Sequence, residues 1–179
     1  MNTATNSATD RAAVLALTWL AGYAGHETGD YLIQLDADVQ RKQGHTRPAE
    51  PAWPGDDRTP CQRVRDGHRS LTRHVLTYGL AQAATKAAAY RAAGVRVPLA
   101  AQAAGTAVEI ALHTLIDDGR LLRAFCRATG KKRFHDLAAG GVNGRMLLDQ
   151  AAHQGLQVPI GAIVTTAVTT VLAARRGRH

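Results

Sequence analysis

Three apolar stretches of this chain each carry a histidine and an aspartate four residues apart: His26–Asp30, His113–Asp117 and Asp149–His153. Four residues is close to one α-helical turn, so the two side chains of each pair share a helix face. The first row continues to Gln34, and the second reaches back to Glu109. A fourth stretch supplies His74, and Gln150 follows Asp149. A single pair of this kind is usually a hydrogen bond that fixes one helix face. Three pairs, drawn from eight histidines and eleven aspartates and set among Ala, Leu and Val, all need partners once those faces are buried. One common partner for several imidazoles and carboxylates is a divalent metal ion such as Zn, Mn, Fe or Mg, and helical bundles build such sites from facing helices. The spacing therefore predicts metal ligands at His26, Asp30, His113, Asp117, Asp149 and His153. Gln34, His74, Glu109 and Gln150 are expected to orient those ligands or to touch substrate.

The rest of the chain fits a helical frame. At 179 residues it is one domain with a real core, and with 45% hydrophobic but only 4% aromatic residues that core must be Ala, Leu and Val. The fold class expected is all-α, a four- to five-helix bundle, either embedded in a membrane or associated with one. Residues 1–10 read as a disordered lead-in without a secretory signal, with Asp10 as the first N-cap. The bundle domain spans 11–175, and a basic tail follows at 176–179. The first helix is expected over about Arg11 to Arg41. A flexible surface insertion follows at 43–66, where Pro48, Pro51, Pro54 and Pro60 exclude a helix. A second helix runs from near Asp66 to about Ala93 and a third from Pro98 to Phe125. A short amphipathic turn lies around Phe134 to Ala138. The last helical stretch begins near Asn143, and Pro159 kinks it or divides it. Ile163 to Val171 is β-branched enough to be ambiguous between helix and strand. Cys61 and Cys126 lack CxxC spacing and read as ordinary thiols of a reducing compartment.

Charge narrows the partners. The net charge is +8, and between Arg120 and Arg145 seven basic residues face a single acid, Asp136. Arg120, Arg123, Lys131, Lys132 and Arg133 are the expected anion-binding residues of that run. Such a cluster attracts phosphate as anionic lipid, as a phosphorylated small molecule or as nucleic acid. Gly155 to Ala174 is free of charge and long enough to cross a bilayer, with Arg175 and Arg176 directly after it. In a membrane, Glu27, Asp30, Glu109 and Asp117 would have to face the bundle interior.

The order of the polar motifs resembles the bacterial domain of unknown function 3307 family. Its members are small membrane proteins with an H-x3-D-x3-Q helix, a lone histidine, an H-x3-D helix and a D-Q-x2-H helix. Here these read His26-x3-Asp30-x3-Gln34, His74, His113-x3-Asp117 and Asp149-Gln150-x2-His153, covering His26 to His153. The resemblance implies a membrane location and a polar site at these residues, similar in style to membrane-bound metal-dependent hydrolases, and no particular reaction. The chain departs from the family pattern in its less hydrophobic helices and its Pro-rich insertion.

Three functions follow as expectations. The first is a helical protein of the cell membrane with an internal His/Asp metal site, a hydrolase of a phosphorylated or lipid-like substrate. The second is a cytoplasmic, basic nucleic-acid-binding protein in which the His/Asp pairs are structural. The third is a membrane scaffold whose buried His and Asp relay protons.

Overall fold

A computed structural model describes residues 8–178, and the chain there is an all-α bundle. Helix α1 covers Ala8–Glu27, and a π-helical turn, π1, continues it over Thr28–Ile33. Helix α2 is Asp36–Arg41, α3 is Pro60–Ala92 and α4 is Leu99–Asp117. Helices α5 (Arg120–Ala128) and α6 (Lys132–His135) lead to a hairpin of Ala138–Ala139 with Val142–Asn143, turned by Gly140 and Gly141 at positive φ. Helix α7 (Gly144–Ala152), a second π turn, π2 (His153–Gln157), and α8 (Val158–Arg176) then form one unbroken helical run.

Several boundaries differ from those expected. Helix α1 starts at Ala8, so Asp10 lies within its first turn; residues 1–7 of the expected lead-in, and His179 of the tail, lie outside the described residues. The long first helix ends early because Gln34 and Leu35 are extended, with ψ of 130 and 141. That turn folds α2 back against α3, where Asp38 pairs with Arg73. Helix α4 stops at Asp117 because Gly119 takes φ 75, a left-handed turn that starts α5 on a new axis. Pro159 falls at the junction of π2 and α8, and the helical run continues through it rather than dividing there. Ile163 to Val171 is helical.

The insertion is ordered and bonded. Helix α3 begins at Pro60, capped by the side chain of Thr59 with Gln62 returning the bond. Asp56, buried, accepts from Arg58 and Arg63, and Arg63 also donates to the Pro48 and Asp56 carbonyls. At its start, Gln43 and Thr46 donate to the carbonyls of Asp117 and Asp118, and His45 bonds the Asp118 carboxylate.

Four long helices, α1, α3, α4 and α8, form the bundle, with α1 and α4 each packed between α3 and α8. Each buries a row at four-residue steps: Val14, Thr18, Gly22 and His26 on α1; Ser70, His74, Tyr78, Gln82, Lys86 and Tyr90 on α3. On α4 the row is Ala101, Gly105, Glu109, His113 and Asp117, and through π2 and α8 it is His153, Gln157, Gly161, Thr165, Thr169 and Ala173. Glycines bring the helices close: a Cβ on Gly105 would lie 2.8 Å from the Gly161 carbonyl oxygen.

The interior of the bundle thus holds many polar residues beside apolar ones such as Val75, Ala81, Val158 and Ala162, and large apolar side chains lie on its outer face. Leu20, Leu80 and Leu99 are 68%, 71% and 80% exposed, while His26, Gln82, Lys86, Glu109 and His113 are buried. In the stretches between Arg11 and Glu27, Arg73 and Arg91, Arg96 and Asp117, and His153 and Arg175, the only Asp, Glu, Lys or Arg residues are Lys86 and Glu109. Those two pair with each other inside. By length and composition, Leu99–Asp117 and Gly144–Arg176 are long and apolar enough to cross a membrane. A small apolar cluster of Val14, Tyr90, Val97 and Ala101 closes one end. The His/Asp rows meet at the other, beneath a cap made by α2, the 43–59 segment and α5 to α7.

Candidate metal centre

Helix periodicity carries one polar row from each long helix to the capped end, and the two π turns adjust where those rows finish. In α1 the row delivers His26 and, through π1, Asp30; Gly29 makes room there for Tyr78, whose ring carbon would lie 2.9 Å from a Cβ. On α3 His74 occupies the same level, and on α4 His113 and Asp117 do. Helix α7 supplies Asp149, and π2 begins at His153 and ends at Gln157 with both side chains inward.

The six predicted ligands come together, and His74 joins them. His74 Nε2 lies 2.8 Å from His113 Nε2. Asp117 Oδ2 is 3.0 Å from the first nitrogen and 3.3 Å from the second, and Asp30 Oδ1 is 3.5 and 3.7 Å from them. His153 Nε2 is 3.5 Å from Asp117 Oδ1 and 3.6 Å from Asp149 Oδ2, and His26 Nδ1 is 3.7 Å from Asp30 Oδ2. Ligand atoms held about 2.1 Å from one cation stand roughly 3.0–3.4 Å apart. These groups could hold a metal ion: the sets His26–His113–His153, Asp30–His74–His113 and Asp117–Asp149–His153 each offer three donor atoms within 4.8 Å of one another.

Two glutamines set the protons on three of the histidines. Gln157 Oε1 accepts from His113 Nδ1 at 3.2 Å and from His153 Nδ1 at 2.5 Å, while its Nε2 donates to the Tyr78 hydroxyl. Gln150 Oε1 accepts from His26 Nε2 at 2.8 Å, and its Nε2 donates to Asp30 Oδ2 at 3.3 Å. An imidazole that donates from one nitrogen keeps a lone pair on the other. His26 Nδ1, His113 Nε2 and His153 Nε2 therefore present lone pairs toward the carboxylates. His26 Nδ1, His153 Nε2, Asp30 Oδ1 and Asp117 Oδ2 are buried and have no hydrogen-bond partner among the described residues.

One ammonium enters the site. Lys42 Nζ donates to Asp117 Oδ1 at 2.7 Å. Burial would lower this lysine, but Asp117, with Asp149 and Asp30, holds it above its ordinary value. Asp30, Asp117 and Asp149 outnumber Lys42 here, an excess of carboxylate that suits a divalent cation.

The remaining predicted residues sit elsewhere or act differently. Gln150 orients His26 and Asp30. Gln34 lines the cleft beside the centre, and its buried Nε2 has no partner among the described residues. Glu109 is one turn from His113, but its recorded partner is Lys86. Arg120 pairs with Asp118 and Lys132 with Asp136, while Lys131 and Arg133 are exposed and Arg123 is half-buried. None of these five basic residues lines the cleft. That cleft, about 390 Å³, is lined by Asp30, Asp36, Glu50, Asp149 and Gln150 together with Lys42, Arg47 and Arg145. Sequence reasoning missed Gln157, Tyr78 and Lys42. Gln157 continues the four-residue step from Asp149 through His153, and Tyr78 continues it from His74, so both carried a signal. Comparison with protein-family models, curated proteins and solved structures finds no match for this chain.

Proposed function

We propose that this chain is a membrane-embedded metal-dependent hydrolase, its active centre lying at one end of a four-helix bundle. The observation that carries the metal reading is the pair of glutamine oxygens on Gln150 and Gln157. They take the N–H of His26, His113 and His153 and leave lone pairs aimed at Asp30, Asp117 and Asp149. Asp30, His74 and His113 suit one divalent ion, and Asp117, Asp149 and His153 suit a second. A bound divalent ion supplies hydroxide near neutral pH by lowering the pKa of its water, and two ions are the common arrangement for phosphoester hydrolysis. The apolar outer face of the bundle, with Lys86 and Glu109 paired inside, supports the membrane setting, because lipid tolerates ionisable groups only where they face inward. Most of the chain's arginines and lysines lie at the capped end, which the positive-inside tendency assigns to the cytoplasm.

A second reading rests on Lys86 and Glu109, a buried ion pair in a polar row that runs from His74 to Tyr90. Such a row suits a proton relay. One experiment separates the two: the protein is expressed, its membrane fraction extracted in detergent, and metal per chain measured before and after reloading. The hydrolase reading expects the chain in the membrane fraction with at least one divalent ion per chain, lost in His113→Ala. A chain in the soluble fraction, or one without stoichiometric metal after reloading, overturns it.

A further inference from the structure

The cleft above the centre holds a combination that the metal site alone does not require. Arg47 comes from the 43–59 segment and Arg145 from the first turn of α7, and both line the cleft with Lys42. Arg47 also bonds Glu50 at 3.0 Å. Arg145 has no hydrogen bond or ion pair among the described residues. Four carboxylates also line the cleft, but Asp30 and Asp149 belong to the metal centre and Glu50 is held by Arg47; with metal on the first two, the guanidinium groups of Arg47 and Arg145, brought to one space from separate elements, favour an anion between them. Tyr31, Val39 and Met146 line the same cleft and are 49%, 54% and 45% exposed. They continue an apolar outer face through Leu32, Ile33 and Leu35.

We infer that the cleft seats a phosphate group between Arg47, Arg145 and Lys42, directly over the His/Asp centre, and that the phosphate belongs to an amphiphile whose apolar tail leaves past Tyr31, Val39 and Met146. This rests on the reading of the cleft floor as a metal centre and names the substrate class for it. The guanidinium groups hold the phosphate oxygens as planar, two-pronged donors. Lys42, already on Asp117, contributes charge at the base of the cleft. The expected basic run at Arg120 to Arg133 is left to surface attraction, since none of its members reaches this space.

The test uses the full chain in a phosphate-free maltoside detergent, with binding measured by calorimetry and metal content measured on the same samples. The probes are inorganic phosphate, dihexanoyl phosphatidic acid, and dihexanoylglycerol, which has the same tails without phosphate. The inference expects the phosphatidic acid to bind at least ten-fold more tightly than inorganic phosphate and dihexanoylglycerol not to bind. Arg47→Gln and Arg145→Gln should each weaken the phosphatidic acid ten-fold or more while metal content stays at the wild-type level. Equal affinity for the phosphatidic acid and inorganic phosphate overturns the amphiphile assignment and makes free phosphate the source. No binding by metal-loaded protein, or unchanged binding in both arginine variants, overturns the phosphate seat and leaves the metal reading standing. Phosphatidic acid binding by a chain that never loads metal overturns the metal reading on which the inference rests.

Discussion

His74 and His113 face each other across the contact of α3 and α4, with their Nε2 atoms 2.8 Å apart and both rings fully buried. Two imidazole nitrogens meet at that distance either around one shared proton or beside one cation. The neighbours favour the cation. Asp117 Oδ2 and Asp30 Oδ1 stand 3.0 to 3.7 Å from both nitrogens, and neither oxygen has a hydrogen-bond partner among the described residues. A simple N–H···N bond would leave both carboxylate oxygens buried and unmet.

Gln157 should govern metal affinity without touching the metal. Its side-chain oxygen accepts from both His113 and His153. Gln157→Leu removes that acceptor and frees both rings to take the wrong tautomer, so metal affinity is expected to fall roughly 10–100-fold. Gln157→Glu keeps an acceptor in the same place and should hold affinity at or above wild type. Competition against a chelator of known affinity reads both; equal losses in the two variants would contradict the tautomer argument.

Removing metal should cost stability. A ligand that binds only the folded chain stabilises it by about 2.7 kcal/mol at a free concentration of 100 times Kd. For a chain of this length that corresponds to roughly 5–10 °C in Tm. Thermal unfolding in detergent, with EDTA and after reloading, measures it. A Tm that does not respond to chelation in a chain that had carried metal would place the ion outside the folded core.

The outward face of the bundle gives a test of its surroundings. Leu20 is 68% exposed and lies midway along α1. In a membrane, Leu20→Arg places a charge in lipid and costs about 2.5–3.5 kcal/mol of insertion. On a water-facing surface the same change is worth within about 0.5 kcal/mol. An insertion assay with glycosylation sites flanking α1 should show the arginine variant failing to span, and normal behaviour of the variant would place this face in water.

The 43–59 segment should loosen in acid. The Arg58 guanidinium, backed by the amides of Ala52 and Arg58 and by Arg63, holds the Asp56 carboxyl well below the usual carboxylate range. A group whose pKa is depressed on folding stabilises the fold above its unfolded value of about 4, and that contribution is lost as pH falls through the folded value. Trp53 reports the event, since Arg58 lies 4.6 Å from its ring centre and Arg41 5.7 Å. In a Trp19→Phe background, Trp53 fluorescence should be steady from about pH 7 to pH 5 and change between about pH 4 and pH 2. Asp56→Asn should show the loosened signal at neutral pH and no acid transition.

The sequence by itself determined which side chains share a helix face. His26 with Asp30, His113 with Asp117 and Asp149 with His153 are neighbours because four residues make about one turn, and that holds in any packing of these helices. It also determined that these faces need partners, since they lie in Ala- and Leu-rich stretches that become helices. What it could not give is how each helix is rotated and at what height it meets the next. That depends on close packing at positions such as Gly105 and Gly161, and on two π turns that each slip the row by a residue. Those choices sent Glu109 to Lys86 and brought Gln157 to two histidines. The cap was decided at the same level. Pro48, Pro51 and Pro54 exclude a helix from 43–59, while Pro60 opens α3, but none of them says anything of Asp56 closing on Arg58 and Arg63, an arrangement made by the start of α3 folding back onto the segment before it. Once that segment was fixed, Lys42 reached Asp117 and Arg47 came to line one cleft with Arg145, whereas Arg120 to Arg133, on the new axis begun by the left-handed turn at Gly119, do not reach that cleft. Periodicity along one helix is a local property, and the meeting of four helices is a balance of packing over the whole chain.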